Sequence, residues 1–179
     1  MTDYFALLGE ARCVWLDPGK LKEKYFDLAR QRPADAELNE AYRVLSDPRL
    51  RLHHLLTLEG ANLGAGREIP PALTELFWNT GNLLREIDRW RLKQESASSS
   101  LARALLRGEG ASLMERLANL DSQLNAAYDA ESEQLRTFNP GRLLPDEIEN
   151  LVRRHDALAY LGRLREQVRE KRLGMTNDE

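Results

Sequence analysis

Cysteine occurs once in the 179 residues, as Cys13, which excludes an intramolecular disulfide and any zinc site built on several thiolates. Histidine is nearly as scarce. His53, His54 and His155 include no pair at the i, i+4 spacing that sets two ligands on one helix face, and the adjacent His53 and His54 diverge by roughly 100° on a helix. No metal and no other cofactor is expected. Basic charge is not in excess either: 26 Lys and Arg against 29 Asp and Glu give a formal charge of -3. Non-specific phosphate binding therefore has no electrostatic footprint, and nucleic acid is not an expected partner. No apolar run approaches the roughly 18 residues of a membrane span, and MTDYFALLGEARC lacks a basic start. A soluble, cytoplasmic protein without a membrane partner is the expectation. Strand-like alternation of β-branched or aromatic residues is also missing.

What is abundant is Leu, Ala, Arg and Glu at helical spacing, which predicts an all-α fold. Tyr4 to Gly9 reads as a short helix ended by glycine. Asp17-Pro18 caps and starts a second, to about Gln31, with Leu21, Tyr25 and Leu28 inward, Phe26 and Ala29 widening the stripe, and Lys20, Lys22, Lys24 and Arg30 elsewhere. Pro33 ends it, and Asp35 caps a third helix carrying Leu38, Ala41, Tyr42 and Leu45. Ser46-Asp47-Pro48 stops that helix and opens a fourth, Arg49 to about Glu59. The glycine- and proline-rich stretch GANLGAGREIPP reads as a hinge. The expected organisation is a unit over 1–60, a hinge over 61–71, a helical bundle over 72–174 and a tail over 175–179.

In the bundle, a long helix is expected from Pro71 with Leu73, Leu76, Phe77, Thr80, Leu84 and Ile87 on one side, and with Gly81 marking a close contact or a bend. Ser96–Ser100 predicts a loop and Gly108-Glu109-Gly110 a stronger break, after which Ser112-Leu113-Met114-Glu115 matches a capping box. Leu113, Leu117, Leu120, Leu124, Tyr128 and Leu135 keep heptad-like spacing up to a turn at Asn139-Pro140-Gly141. The last helix, from about Pro145, begins acidic and ends basic, matching the helix dipole.

No catalytic set is visible. Gly64-Ala65-Gly66 lacks the Lys-Ser/Thr and the preceding strand of a phosphate loop. Cys13, beside Arg12 but without a neighbouring histidine or second cysteine, reads as a packed, inert thiol. With no acid, base, nucleophile or ligand set, an enzyme is not expected.

The informative segment is 4–60. Tyr4-Phe5-Ala6-Leu7-Leu8-Gly9, then Leu21, Tyr25 and Leu28-Ala29-Arg30, then Asn39-Glu40-Ala41-Tyr42-Arg43-Val44-Leu45-Ser46-Asp47-Pro48 occur in order. This run, about a third of the chain, resembles a J domain. Arg51-Leu52-His53-His54-Leu55-Leu56-Thr57-Leu58-Glu59-Gly60 resembles the segment that follows the J domain in the HscB-type iron–sulfur co-chaperones, whose C-terminal half is a helical bundle that binds the iron–sulfur assembly scaffold. A weaker similarity continues in Leu84-Arg85-Glu86 and in Tyr160-Leu161 with Leu164. The resemblance implies two partners: a DnaK-type chaperone, and an iron–sulfur scaffold or other client protein.

One departure bears on function. The family's His-Pro-Asp loop, which triggers ATP hydrolysis in the chaperone, is here Arg32-Pro33-Ala34-Asp35, and the stretch to Asn39 is short. A displaced and altered trigger predicts little or no stimulation, and the four residues read more simply as a helix stop and an N-cap. The residues that the resemblance assigns to chaperone docking are Lys20, Lys22, Lys24, Arg30, Arg32, Pro33 and Asp35, the five cations exceeding Glu23 and Asp27 by three charges. For client or scaffold binding they are Trp78, Asn79, Asn82, Leu83 and Glu86, on the side of the long helix facing away from its apolar stripe, and Tyr160. Asn79, Asn82 and Leu83 differ from the family's residues there. Trp78 and Tyr160 also fit plain bundle packing, and the competing reading is a J-fold-derived interaction module without a chaperone partner, dimerising through the Trp78 stripe.

Overall fold

The computed structural model describes residues 1–63, 70–138 and 143–176, and every regular element among them is helical. The all-α expectation is met. In chain order the elements are α1 (Tyr4–Leu7), α2 (Pro18–Gln31), α3 (Ala36–Ser46), α4 (Pro48–Leu58), a 3₁₀ turn (Pro71–Leu73), α5 (Thr74–Ser96), α6 (Ser100–Gln134), a second 3₁₀ turn (Leu135–Thr137) and α7 (Pro145–Thr176). Most of the expected hinge, residues 64–69, and the expected turn at Asn139-Pro140-Gly141 lie outside the described residues.

Two compact units emerge, one of residues 1–67 with 130–159 and the other of 68–129 with 160–179. The stretch 72–174, expected to form one bundle, is thus divided between them. The cause is length: α6 has 35 residues and α7 has 32, so each runs for about 50 Å, longer than one small helical unit requires. The tail expected from residue 175 is helical through Thr176, with Met175 buried.

In the first unit α3 is the central element, packing against α1, α2 and α4. Its buried stripe of Leu38, Ala41 and Leu45, widened by Val44, follows the sequence spacing. Phe5 of α1 is fully buried, and Gly9, at φ +63°, turns the chain beyond that helix in a conformation glycine adopts at no steric cost. His54 of α4 is also buried. Its ring stacks on Tyr4 and Phe5 at 4.6 and 5.8 Å, and its Nε2 accepts the Tyr4 amide at 3.1 Å. Arg51 crosses the interior to donate to the carbonyls of Val14 (3.0 Å) and Leu45 (2.7 Å), so its charge-bearing group is satisfied by backbone. Phe26 departs from expectation. It is exposed, because α2 turns Leu21 inward and sets Phe26 under Lys22, whose Nζ lies 6.0 Å from the ring centroid. Segment 130–159 contributes buried Leu135, Leu151, Val152 and Leu158 to this unit, and the Arg136 guanidinium lies over the Trp15 ring at 4.9 Å.

In the second unit the α6 stripe Leu113, Leu117, Leu120, Leu124 and Tyr128 is buried as its spacing predicts. The loop after α5 is short, Ala97–Ser99. The break expected at Gly108-Glu109-Gly110, with a new helix from Ser112, is not there: α6 passes through unbroken. A Cβ at Gly110 would come within 2.6 Å of Trp90 Cζ2, so that glycine serves close packing of the indole on the helix and not a change of direction. Nothing lies within 4 Å of the Cβ position at Gly108 or closer than 3.6 Å at Gly81, so neither marks a tight contact.

Candidate functional site

Two surfaces carry the residues singled out by the sequence. The first is the α2–α3 connection. Asp17 caps α2 by accepting from Gly19 N (2.9 Å) and Lys20 N (3.0 Å), and Pro18 fixes its first turn. The helix ends where Arg32 N donates to Leu28 O at 2.9 Å. Pro33 follows, and Ala34 takes φ +63°, a left-handed conformation that costs a non-glycine residue about 1 kcal/mol or more. That reversal brings Asp35 to the start of α3, where Oδ1 accepts from Glu37 N at 3.0 Å and Leu38 N at 3.1 Å. The Asp35 carboxylate is therefore taken up by capping, the use read for it as a helix N-cap. Tyr25 ties the two helices together, stacking on Tyr42 at 4.2 Å and donating to Asn39 Oδ1 at 2.8 Å.

The cations of α2 fall into two groups. Lys20, Lys22, Arg30 and Arg32 are exposed, with Arg30 paired to Asp27 at 3.0 Å on the open surface, a pairing of little energetic weight. Lys24 instead folds back to Glu10 at 2.9 Å and to the Gly9 carbonyl. With Lys24 spent on Glu10, the local positive excess falls from three to two.

The second surface lies on α5 and α7, within the second unit. Trp78 is 56% exposed, and its ring meets Phe77 edge-on at 5.4 Å. Phe77 in turn reaches Tyr160 at 5.9 Å, and Arg163 lies 5.7 Å over the Tyr160 ring. The structure thus joins Trp78 and Tyr160, far apart in sequence, through a half-buried phenylalanine. Sequence reasoning assigned Phe77 to the core stripe and missed Arg163; the signal available was the aromatic pair Phe77-Trp78, which no single buried stripe can absorb. The Tyr160 hydroxyl is enclosed without a hydrogen-bond partner among the described residues, and its pKa is raised by burial.

The other four assigned positions, all on α5, do not join this aromatic run. Leu83, expected on the outward side, is a core residue at 5% exposure, while Leu84, expected inward, is half-buried. The buried line of α5 is Thr80, Leu83, Ile87 and Trp90, a 3–4–3 spacing that keeps Thr80 and Ile87 of the expected stripe and takes Leu83 in place of Leu84. Glu86 points at α6, where Arg116 grips both carboxylate oxygens at 2.8 Å and holds the carboxyl below its usual pKa. Asn79 is exposed, and Asn82 accepts from Arg85 at 2.7 Å.

The remaining reactive side chains are engaged locally. Cys13 Sγ donates to the Trp15 carbonyl at 3.0 Å, and burial pushes its pKa up, away from the thiolate. His53 and His155, 102 residues apart, bring Nδ1 and Nε2 to 3.2 Å, and His155 also faces Asp156 at 3.3 Å. No group of three or more His, Cys, Asp or Glu able to hold a metal ion occurs among the described residues. Nor is any described helix long and apolar enough to cross a membrane. No protein-family model matches the sequence, and no curated protein matches it.

Proposed function

We propose that this chain is an HscB-like co-chaperone homologue that works by recognition: its second unit binds a client, an iron–sulfur scaffold in the reading closest to the sequence resemblance, while its J-like unit has little or no ability to trigger a DnaK-type ATPase. Trp78 carries the reading. A tryptophan left 56% exposed on α5, continued by Phe77 to Tyr160, has the composition of an interface anchor, and truncating such an anchor costs about 2 kcal/mol or more of binding. On the chaperone side, a carboxylate bound to two backbone amides of its own helix is a poor trigger, whereas Lys20, Lys22 and Arg32 are exposed and suit weak, salt-sensitive docking.

The test mixes the purified chain with an iron–sulfur scaffold. A complex whose Kd rises at least tenfold in Trp78→Ala supports the reading; absence of binding at tens of micromolar rejects the scaffold. Single-turnover ATP hydrolysis by DnaK-type chaperones, with an intact J protein as positive control, should show no stimulation. Stimulation that vanishes in Asp35→Ala overturns the loss of the trigger. A homodimer dissociated by Trp78→Ala would favour the competing interaction module.

A further inference from the structure

The second unit also contains a cleft of about 700 Å³ unrelated to the Trp78 surface and independent of the co-chaperone reading. Its volume lies inside the roughly 300–1,000 Å³ range of small-molecule sites. The floor is apolar: Trp90 of α5, Met114 of α6 and Met175 of α7. Trp90 is rigid there, its Nε1 donating to the Leu106 carbonyl at 2.8 Å while its ring edge lies against the bare Cα of Gly110. The rim is cationic. Arg103 and Arg107, one turn apart on α6, both line the cleft. Arg103 reaches only the Ser98 carbonyl at 3.4 Å, and among the described residues neither arginine has a carboxylate partner. Arg116 and Arg172 of the same unit are held by Glu86 and Asp121, whereas Arg103 and Arg107 bring their guanidinium groups to the edge of an apolar cleft.

We propose that this cleft binds an alkyl carboxylate, a free medium-chain fatty acid, with the chain on Trp90, Met114 and Met175 and the carboxylate held by Arg103 and Arg107. The pairing follows from complementarity at both ends. Methionine adapts to a flexible chain, and a planar guanidinium matches a carboxylate in two-point geometry. Each methylene withdrawn from water is worth about a fourfold gain in affinity.

The experiment titrates the full chain with decanoate, octanoate and decanol, following heat release and the Trp90 indole signal in a Trp15→Phe, Trp78→Phe background. Decanoate, longer by two methylenes, should bind about sixteenfold tighter than octanoate and at least tenfold tighter than decanol. The Arg103→Glu, Arg107→Glu double variant, both positions being exposed, should fold normally by circular dichroism and lose the preference for decanoate over decanol. Equal binding of acid and alcohol, no binding at 1 mM, or binding unchanged in the double variant would overturn the proposal. So would binding to anionic vesicles without binding of free decanoate, which makes the patch a membrane contact, or a dimer that decanoate does not displace.

Discussion

The α2–α3 connection and the 108–110 stretch of α6 carry similar punctuation in the sequence, and the chain treats them in opposite ways. At 32–35 the helix stops, because Pro33 cannot continue it and Asp35 supplies an oxygen to two orphan amides of the next one. At 108–110 two glycines are threaded into an unbroken helix. Proline forbids a conformation, whereas glycine only weakens one by about 1 kcal/mol, an amount that packing of Trp90 outweighs. The same contrast extends to function. In the first unit the Asp35 carboxylate of the connection is consumed by capping, while in the second Trp78, Arg103 and Arg107 stay exposed.

The two sides of α5 offer the largest test of that contrast. Leu83→Ala empties a core position and should destabilise the protein by about 2–5 kcal/mol. Trp78→Ala, on the open side, should stay within about 0.5 kcal/mol of wild type in urea denaturation. Equal losses would place Trp78 in the packing and remove the anchor from the proposed function.

Gly110 and Gly108 separate next. Alanine at Gly110 forces a methyl to within 2.6 Å of the Trp90 ring, overpacking that costs about 1–3 kcal/mol against a helix gain of about 1 kcal/mol. Alanine at Gly108, where nothing lies within 4 Å, keeps only the gain and should stabilise by about 0.5–1 kcal/mol. Thermal denaturation of the pair reads the difference directly. A Gly110→Ala protein as stable as Gly108→Ala would contradict the close contact.

Asp35 gives a smaller effect. Asp35→Ala removes the cap and should cost about 1 kcal/mol, whereas Asp35→Asn retains a capping oxygen and should cost little. If instead Asn behaves as Ala does, the charge and not the cap is what the chain needs at this position.

Much of this was legible in the sequence. Helix type, the caps at Asp17, Asp35 and Asp47, and the stripe from Leu113 to Tyr128 follow from local rules of spacing and capping. What was hidden is tertiary. The exchange of Leu83 for Leu84 on the inner side of α5 depends on what that helix packs against, the pairing of Lys24 with Glu10 joins residues 14 apart across a turn, and the meeting of His53 with His155 spans 102 residues. The candidate site was legible at Trp78 and Tyr160, but the Phe77 bridge that joins them required the helices to be placed.

The mildest expected effect is a pH dependence. Burial holds the pKa of His54 below its ordinary 6.5, only partly offset by Asp3, and His54 must stay neutral at Nε2 to accept the Tyr4 amide. Burial lowers His155 in the same sense, against the opposing pull of Asp156. In the unfolded chain both rings take up a proton as the pH falls through about 6.5, while the folded chain resists until lower pH. The unfolded state then binds more protons, so stability is flat above that value and declines with acidification below it. The carboxylates whose pKa values are lowered, such as Asp3 and Glu86, start from ordinary values of 3.8 and 4.5 and add their own loss only further down. Between pH 7 and 5 the slope therefore belongs to the two histidines. His54→Gln keeps an acceptor facing the Tyr4 amide, and combined with His155→Gln it should flatten the melting temperature across that window; a slope identical to wild type would assign the acid sensitivity to other groups.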